Sequence, residues 1–207
     1  MKKHEPLTEN EKMLIKEGLK KEAPSFVRQL LIAIGICVFF YVFLTYLSPI
    51  TTEGVSGQSM EPTFHDGDVI VVDKRKSTIN KLQPGDIIIT KHLQHLNNHS
   101  LIKRLILSPN SQYDNAYISS AQEEADGIAH LYLYNGDTYT QNDKVNEYYI
   151  KEPMKNTESF SFQKEEDHYV ILGDNRNHSG DSRRIGAISK DEIEGKVLFR
   201  LFPFTKF

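Results

Sequence analysis

Leu101-Ile102-Lys103-Arg104-Leu105-Ile106-Leu107 sets two adjacent cations inside an otherwise aliphatic run. A run of this length, rich in β-branched and apolar residues, predicts a strand. Side chains on a strand alternate between faces, so Lys103 shares one face with Leu101, Leu105 and Leu107 while Arg104 turns to the other. An ammonium among leucines is an unusual tenant. Burial destabilises its charged form and lowers its pKa, which can turn a lysine into a usable base. A lone lysine amid apolar residues is more often a snorkelling surface residue.

Working outward, the chain repeats this kind of run. Val69-Ile70-Val71-Val72 follows Gly67-Asp68, and Ile87-Ile88-Ile89 follows Pro84-Gly85-Asp86. Further runs cover Ser100 to Leu107, Ala129 to Tyr134, His168 to Leu172 and Lys196 to Phe202. Runs bounded by Gly, Pro and Asp, with no regular strand–helix alternation, predict an all-β domain. The polar, turn-rich stretch 108–162 reads as a small inserted β subdomain. Within it, Asn135-Gly136 predicts a type I′ hairpin turn. Phe199 to Phe207 is aromatic; Pro203 argues against a central strand there, and a closing strand or a membrane-surface contact are both open.

The N-terminal part is different. Gln29 to Thr52 carries no charge, and the 18 residues Leu30–Leu47 are nearly all apolar. As a helix they would rise roughly 27 Å, enough for a bilayer's hydrocarbon. The exit, Thr45-Tyr46-Leu47-Ser48-Pro49-Ile50, lacks a small-x-small cleavage site, so a retained anchor over 29–50 is expected rather than a cleaved leader. Lys16, Lys20, Lys21 and Arg28 precede it, and no Lys or Arg follows until Lys74. The positive-inside rule then puts a tail, 1–28, in the cytoplasm and 51–207 outside, with Glu9 to Lys21 helical.

Length and charge narrow the rest. The 207 residues suit one domain of ordinary size, and a net charge of −3 with mixed signs gives no footprint for nucleic acid. The single cysteine, Cys37, excludes an intramolecular disulfide. His92, His95 and His99 lie in a polar stretch without acidic company and read as a solvated loop, not a metal site.

Two more blocks stand out. One is Ser56-Gly57-Gln58-Ser59-Met60-Glu61-Pro62-Thr63; the other is Gly173-Asp174-Asn175-Arg176-Asn177-His178-Ser179-Gly180-Asp181-Ser182-Arg183. A serine becomes nucleophilic when a neighbouring base takes its proton. Composition alone also permits a His178–Asp181 arrangement around a serine.

Taken with the Lys103 run, these blocks resemble the type I signal peptidases of Gram-positive bacteria, membrane-anchored serine proteases that release secreted precursors from their leaders. The resemblance covers about Val55 to the C-terminus and implies a signal-peptidase-like β-fold. It implies Ser59 as nucleophile, Lys103 as general base, and the Ser59 backbone N–H as an oxyanion donor. Some relatives add a hydroxyl two residues before the nucleophile, where this chain has Gly57. It further implies that Ser179 orients the lysine and that Asp181 and Arg183, with Asp174 and Arg176, brace the centre. Val55, Met60, Phe64 and Ile102 match positions lining shallow substrate pockets, which suit small residues at positions −1 and −3 of a leader. No cofactor or metal is implied, and the partners are precursor proteins and membrane lipid. The turn Leu107-Ser108-Pro109-Asn110 departs from the usual pattern. A self-cleaving Ser–Lys repressor would need a DNA-binding module that is absent here. A tethered binding protein on a retired protease scaffold is disfavoured by retention of both Ser59 and Lys103.

Overall fold

The computed structural model describes residues 8–44, 49–91, 99–155 and 158–203, with the backbone alone for 15–25. The chain divides into two compact units, 1–48 and 49–207. The first holds α1 (Glu9–Val42). Thr8 starts it with a reciprocal cap: its hydroxyl accepts from the Glu11 N–H at 3.4 Å, and the Glu11 carboxylate accepts from the Thr8 N–H at 2.8 Å. The helix covers only part of the expected anchor, 29–50. The helix begins far ahead of position 29 and stops at Val42, while 45–48 fall outside the described residues and Ile50 already starts a strand. Among the described residues, no helix is long and apolar enough to cross a membrane. The C-terminal part of α1 does expose large apolar side chains, among them Leu31, Ile32, Phe39 and Phe40.

The second unit is built of antiparallel strands. These are β1 (Ile50–Gly54), β2 (Val69–Asp73), β3 (Ile87–Thr90), β4 (Ile102–Leu107), β5 (Asn115–Ile118), β6 (Leu131–Tyr134), β7 (Phe160–Gln163), β8 (His168–Leu172), β9 (Ile188–Ser189) and β10 (Ile193–Phe202). Among the described residues the unit also holds two short α-helices, α2 (Lys76–Ile79) and α3 (Ser182–Ile185), and short 3-10 turns at Gln141–Asp143, Arg176–His178 and Lys190–Glu192. Seven strands form one sheet in the order β1-β2-β10-β3-β4-β8-β9, and β6-β5-β7 form another. The mostly β architecture agrees with the expectation.

The predicted runs at Val69, Ile87, Ser100, Ala129, His168 and Lys196 all contain strands. Three details differ. First, the alternation along β4 breaks: pairing with β8 slips between Leu105 and Leu107, so Leu105 and Leu107 enter different core clusters. A bulge adds one residue, and each later side chain then changes face. Second, Asn135-Gly136 makes a turn without a hairpin. Its groups bond back to β5, with Asn135 Oδ1 accepting from the Asp114 N–H and the Gly136 carbonyl accepting from Asn115 Nδ2. Third, β10 is central, between β2 and β3, through Phe202; Pro203 follows the last paired residue and so removes no ladder bond.

The three-stranded sheet occupies the expected insert, yet it has no separate core. Ala116, Ile118, Leu131 and Leu133 pack with Ile106, Leu107, Val170 and Leu172 from the large sheet. This shared core seats the insert against β4, which carries Lys103, and β8, which leads into the Gly173 block.

Candidate active site

Ser59 lies on the loop joining β1 to β2. Backbone bonds from Val55 N–H to the Asp68 carbonyl (2.7 Å) and from Gly67 N–H to the Val55 carbonyl (3.0 Å) close the base of this loop. Val55, Met60 and Phe64 pin it from within, packing with Ile70, Val72, Ile89 and Val197. All three are buried, so their side chains hold the loop in place. Ile102 is half-buried at the edge of the same cluster.

Gly57 has φ +86°, a conformation that other residues reach only at a cost, and space beyond its Cα is open. Its N–H donates to Asp66 Oδ1 at 2.8 Å. A hydroxyl at this position would therefore bring backbone strain, and the chain does without one.

Lys103 comes from β4, directly opposite Ile88 of β3. Opposite residues in an antiparallel pair share a face, so the lysine stands beside the Ile88–Leu105–Ile171 cluster. It is 2% exposed. Its Nζ lies 2.7 Å from Ser59 Oγ and donates to the Ile102 carbonyl at 2.9 Å. Burial pushes its pKa down to about 8, while the charges of Asp181 and Asp174 pull the other way.

The third block wraps the pair. Gly173 must be glycine for steric reasons: a Cβ there would collide with the Ser179 side chain and sit 2.5 Å from the Ser59 carbonyl oxygen. This close approach lets the Asn175 N–H donate to the Ser59 carbonyl (3.0 Å) and Asn175 Nδ2 to the Gln58 carbonyl (3.0 Å). Asp181 caps α3 and is fully occupied. It accepts from the Gly173 N–H at 3.0 Å, from Arg183 Nε at 2.9 Å and from Arg183 Nη2 at 2.8 Å. His178 is exposed and forms no pair with Asp181, which removes the His–Asp alternative. Ser179 Oγ is buried next to Gly173 but has no hydrogen-bond partner, so the expected contact with the lysine is not made. A cavity of about 530 Å³ opens beside Ser179, lined also by Phe160, His178 and Arg184.

On the other face of β4, Arg104 forms a two-point pair with the buried Asp174, at 2.7 and 2.6 Å. Thr63 donates to the same carboxylate. Burial works against the Arg104 charge, but Asp174 outweighs it and the guanidinium is held above its usual range.

Residues 24–202 match the family described as Signal peptidase, peptidase S26. The chain belongs to this family. Membership makes it a serine hydrolase that removes signal peptides. Signal peptidase IB of Staphylococcus aureus is 29% identical over 91% of this chain and 94% of that relative. A relative described as Inactive signal peptidase IA, from S. aureus strain MRSA252, is 27% identical over 90% of this chain and 95% of its own length. A solved signal peptidase I from Enterococcus faecalis V583 overlaps 57% of this chain and 97% of its own, at 22% identity and a TM-score of 0.36.

Sequence reasoning missed the contacts of Asn175 and Thr63 described above, and two residues of the insert without a local motif: Glu147, which pairs with Arg176, and Tyr149, whose ring lies against Arg104. Of the histidines considered as ligands, His92 and His95 lie outside the described residues, and His99 is exposed. Glu124, Asp126 and His130 can bring ligand atoms within 4.8 Å of one another on the insert. They already bond to neighbours, Glu124 to the Tyr132 hydroxyl and Asp126 to His130.

Proposed function

We propose that Ser59 and Lys103 form the dyad by which this signal peptidase cuts leader peptides, and that residues 29–50 anchor it at the membrane surface. The observation that carries this reading is the 2.7 Å contact between Ser59 Oγ and a lysine amine buried without an ion pair to any described residue. In the first step Ser59 Oγ attacks the scissile carbonyl carbon while Lys103 Nζ accepts the hydroxyl proton. The new oxyanion is stabilised by the Ser59 backbone N–H. The tetrahedral intermediate collapses, the C–N bond breaks, and the Lys103 ammonium gives its proton to the leaving amine. Neutral again, Lys103 takes a proton from water, whose oxygen attacks the acyl-enzyme. Breaking the ester returns the proton from Lys103 to Ser59 and releases the signal peptide's carboxylate.

Shallow pockets near Val55, Met60, Phe64 and Ile102 receive the small side chains at leader positions −1 and −3. Open space above Gly57 supports the approach of an extended peptide. Anchoring rests on the uncharged run from Gln29 to Thr52 and on the exposed apolar side chains of α1. The charge bias sets the N-terminus in the cytoplasm and 51–207 outside. Sharing a surface with a membrane-held precursor raises effective concentration without any new contact.

The test is cleavage of a bilayer-embedded precursor bearing an Ala-x-Ala site. Wild type is expected to cut after the second alanine, and Ser59→Ala and Lys103→Ala to be inert. Cleavage surviving Lys103→Ala removes the proposed base; an inert but folded wild type favours the retired-scaffold reading instead.

A further inference from the structure

Glu147 belongs to the insert, far in sequence from the three blocks, yet its carboxylate is only 7% exposed and has a fully buried partner. Arg176 Nη2 lies 2.5 Å from Glu147 Oε1, and the Arg176 side chain is 0% exposed. The Tyr149 hydroxyl donates to the same Glu147 oxygen at 2.9 Å. The Tyr149 ring then lies against both guanidinium groups, 4.1 Å from that of Arg104 and 5.8 Å from that of Arg176. Arg176 Nε also holds the Gly173 carbonyl at 3.0 Å. The Glu147 carboxylate is thus tied, through Arg176, to Gly173, which packs closely against the Ser59 carbonyl.

These contacts complete a pattern. Around the dyad stand three buried carboxylates, Asp174, Asp181 and Glu147, and three arginines, Arg104, Arg183 and Arg176, paired one to one. We propose that Glu147 is a positioning residue of the Ser59–Lys103 centre: it closes a charge-balanced frame that leaves Lys103, among the described residues around the dyad, as a buried cation with no ion-paired carboxylate. The inference rests on the Ser–Lys reading above and extends it to the insert, whose contribution to the site is this carboxylate.

The physical logic is one of cancellation. In a low-dielectric interior an unpaired carboxylate near the lysine would stabilise the ammonium and remove the base. An unpaired arginine would do the reverse and would also compete for the remaining acids. Pairing each carboxylate to its own arginine keeps the net field at Lys103 small, so that desolvation decides its state. The other groups around the lysine do not upset this balance. β3 contributes only Ile87, Ile88, Ile89 and Thr90. From β8 come the exposed His168, paired with Glu165, and the buried Tyr169. The Ser59 loop adds the half-buried Glu61, and the third block adds the exposed His178.

Opposite signs make the proposal testable. Glu147→Gln removes a negative charge, so the lysine should lose its proton at lower pH. Arg104→Gln exposes Asp174, so the lysine should hold its proton to higher pH. The experiment follows the Lys103 Nζ titration by 15N NMR in the full-length chain, in a Ser59→Ala background, beside the pH dependence of kcat/KM with Ser59 intact. The expected result is an acid limb displaced downward by about half a unit to one unit in Glu147→Gln and upward by about one unit in Arg104→Gln. At pH 7 the upward shift lowers kcat/KM about tenfold through loss of neutral lysine. The double variant Arg104→Gln/Glu147→Gln restores the balance and should titrate close to wild type. Should Glu147→Gln fail to fold, Arg176→Gln, which leaves the Glu147 carboxylate without its arginine, carries the same test and should move the lysine titration upward as Arg104→Gln does. Titrations that stay put, or move in one direction for both Glu147→Gln and Arg104→Gln, overturn the proposal and leave Glu147 a purely structural residue. The NMR midpoint reads the lysine without cleavage, so a failure of the Ser–Lys reading shows separately, as activity retained in Lys103→Ala.

Discussion

The two faces of β4 treat neighbouring cations in opposite ways. On one face Lys103 meets Ile88, Leu105 and a serine hydroxyl; among the described residues no carboxylate pairs with it, and Asp181 and Asp174 act on its charge only at a distance. On the other, Arg104 is gripped at two points by Asp174, bonds the Gly85 carbonyl at 2.9 Å and lies against the Tyr149 ring. The backbone, the burial and the formal charge are similar; the partners differ. A buried charge without a partner becomes a base near neutrality, whereas a buried charge with one becomes scaffold. On the proposed reading the lysine's face carries the chemistry and the arginine's face the scaffold.

The sharpest way to break this contrast is to put an arginine on both faces. Lys103→Arg keeps the charge and removes the ability to accept a proton, since guanidinium does not deprotonate in this range. We expect precursor cleavage to fall by about 10³-fold or more, measured as single-turnover rate, with the fold retained by circular dichroism. Gly173→Ala attacks the seam between the faces. Its new Cβ must push the Ser59 carbonyl or Ser179 aside, and a displacement of this kind near reacting atoms costs on the order of 10²-fold in kcat.

Stability gives a third test, opposite in sign to activity. Lys103 has a folded pKa near 8 against an ordinary 10.5. Below pH 8 the folded protein must hold a buried ammonium that the unfolded chain holds in water, so the full penalty applies there. It fades as pH rises from 8 towards 10.5, where both states are neutral. Lys103→Met should therefore raise unfolding free energy at pH 7 by on the order of 3 kcal/mol, with the gain vanishing near pH 10.5 in denaturant titrations. The smallest effect is a control at β2. Asp73 is buried and its pKa is lowered to about 2, chiefly by hydrogen bonds from the Arg75 side chain. Its stabilisation is present above the ordinary carboxylate pKa of 3.8 and is lost as pH falls through 2. Asp73→Asn should cost roughly 2 kcal/mol at neutral pH while leaving the pH dependence of cleavage unmoved.

Much of this contrast was legible in the sequence. Alternation along Leu101–Leu105 separated the two cations, and the runs around Val69, Ile87 and His168 announced strands, because strand periodicity is a local property. The Ser59 and Gly173 blocks marked the site through residue types packed into a few positions. What stayed hidden depends on partners far along the chain. Nothing near Glu147 or Tyr149 shows that they will meet Arg176 and Arg104. The β4 bulge follows from pairing with β8, and the loss of the hairpin at Asn135 follows from bonds to β5. β5 and β7 are short, with polar residues interleaved, and β1 was absorbed into the apolar stretch before it. The burial of Val55, Met60 and Phe64 depends on packing against Ile70, Val72, Ile89 and Val197, which no local pattern near Ser59 encodes.

The most direct test of the account is the pH dependence of kcat/KM for a leader-peptide substrate, measured on the full-length protein in lipid. A single ionisation with activity rising through a midpoint near pH 8, lost together with activity in Lys103→Ala, is the predicted result. A midpoint near 6.5, as for a histidine base, or a rate flat from pH 6 to 10, would contradict the assignment of Lys103 as the unpaired base.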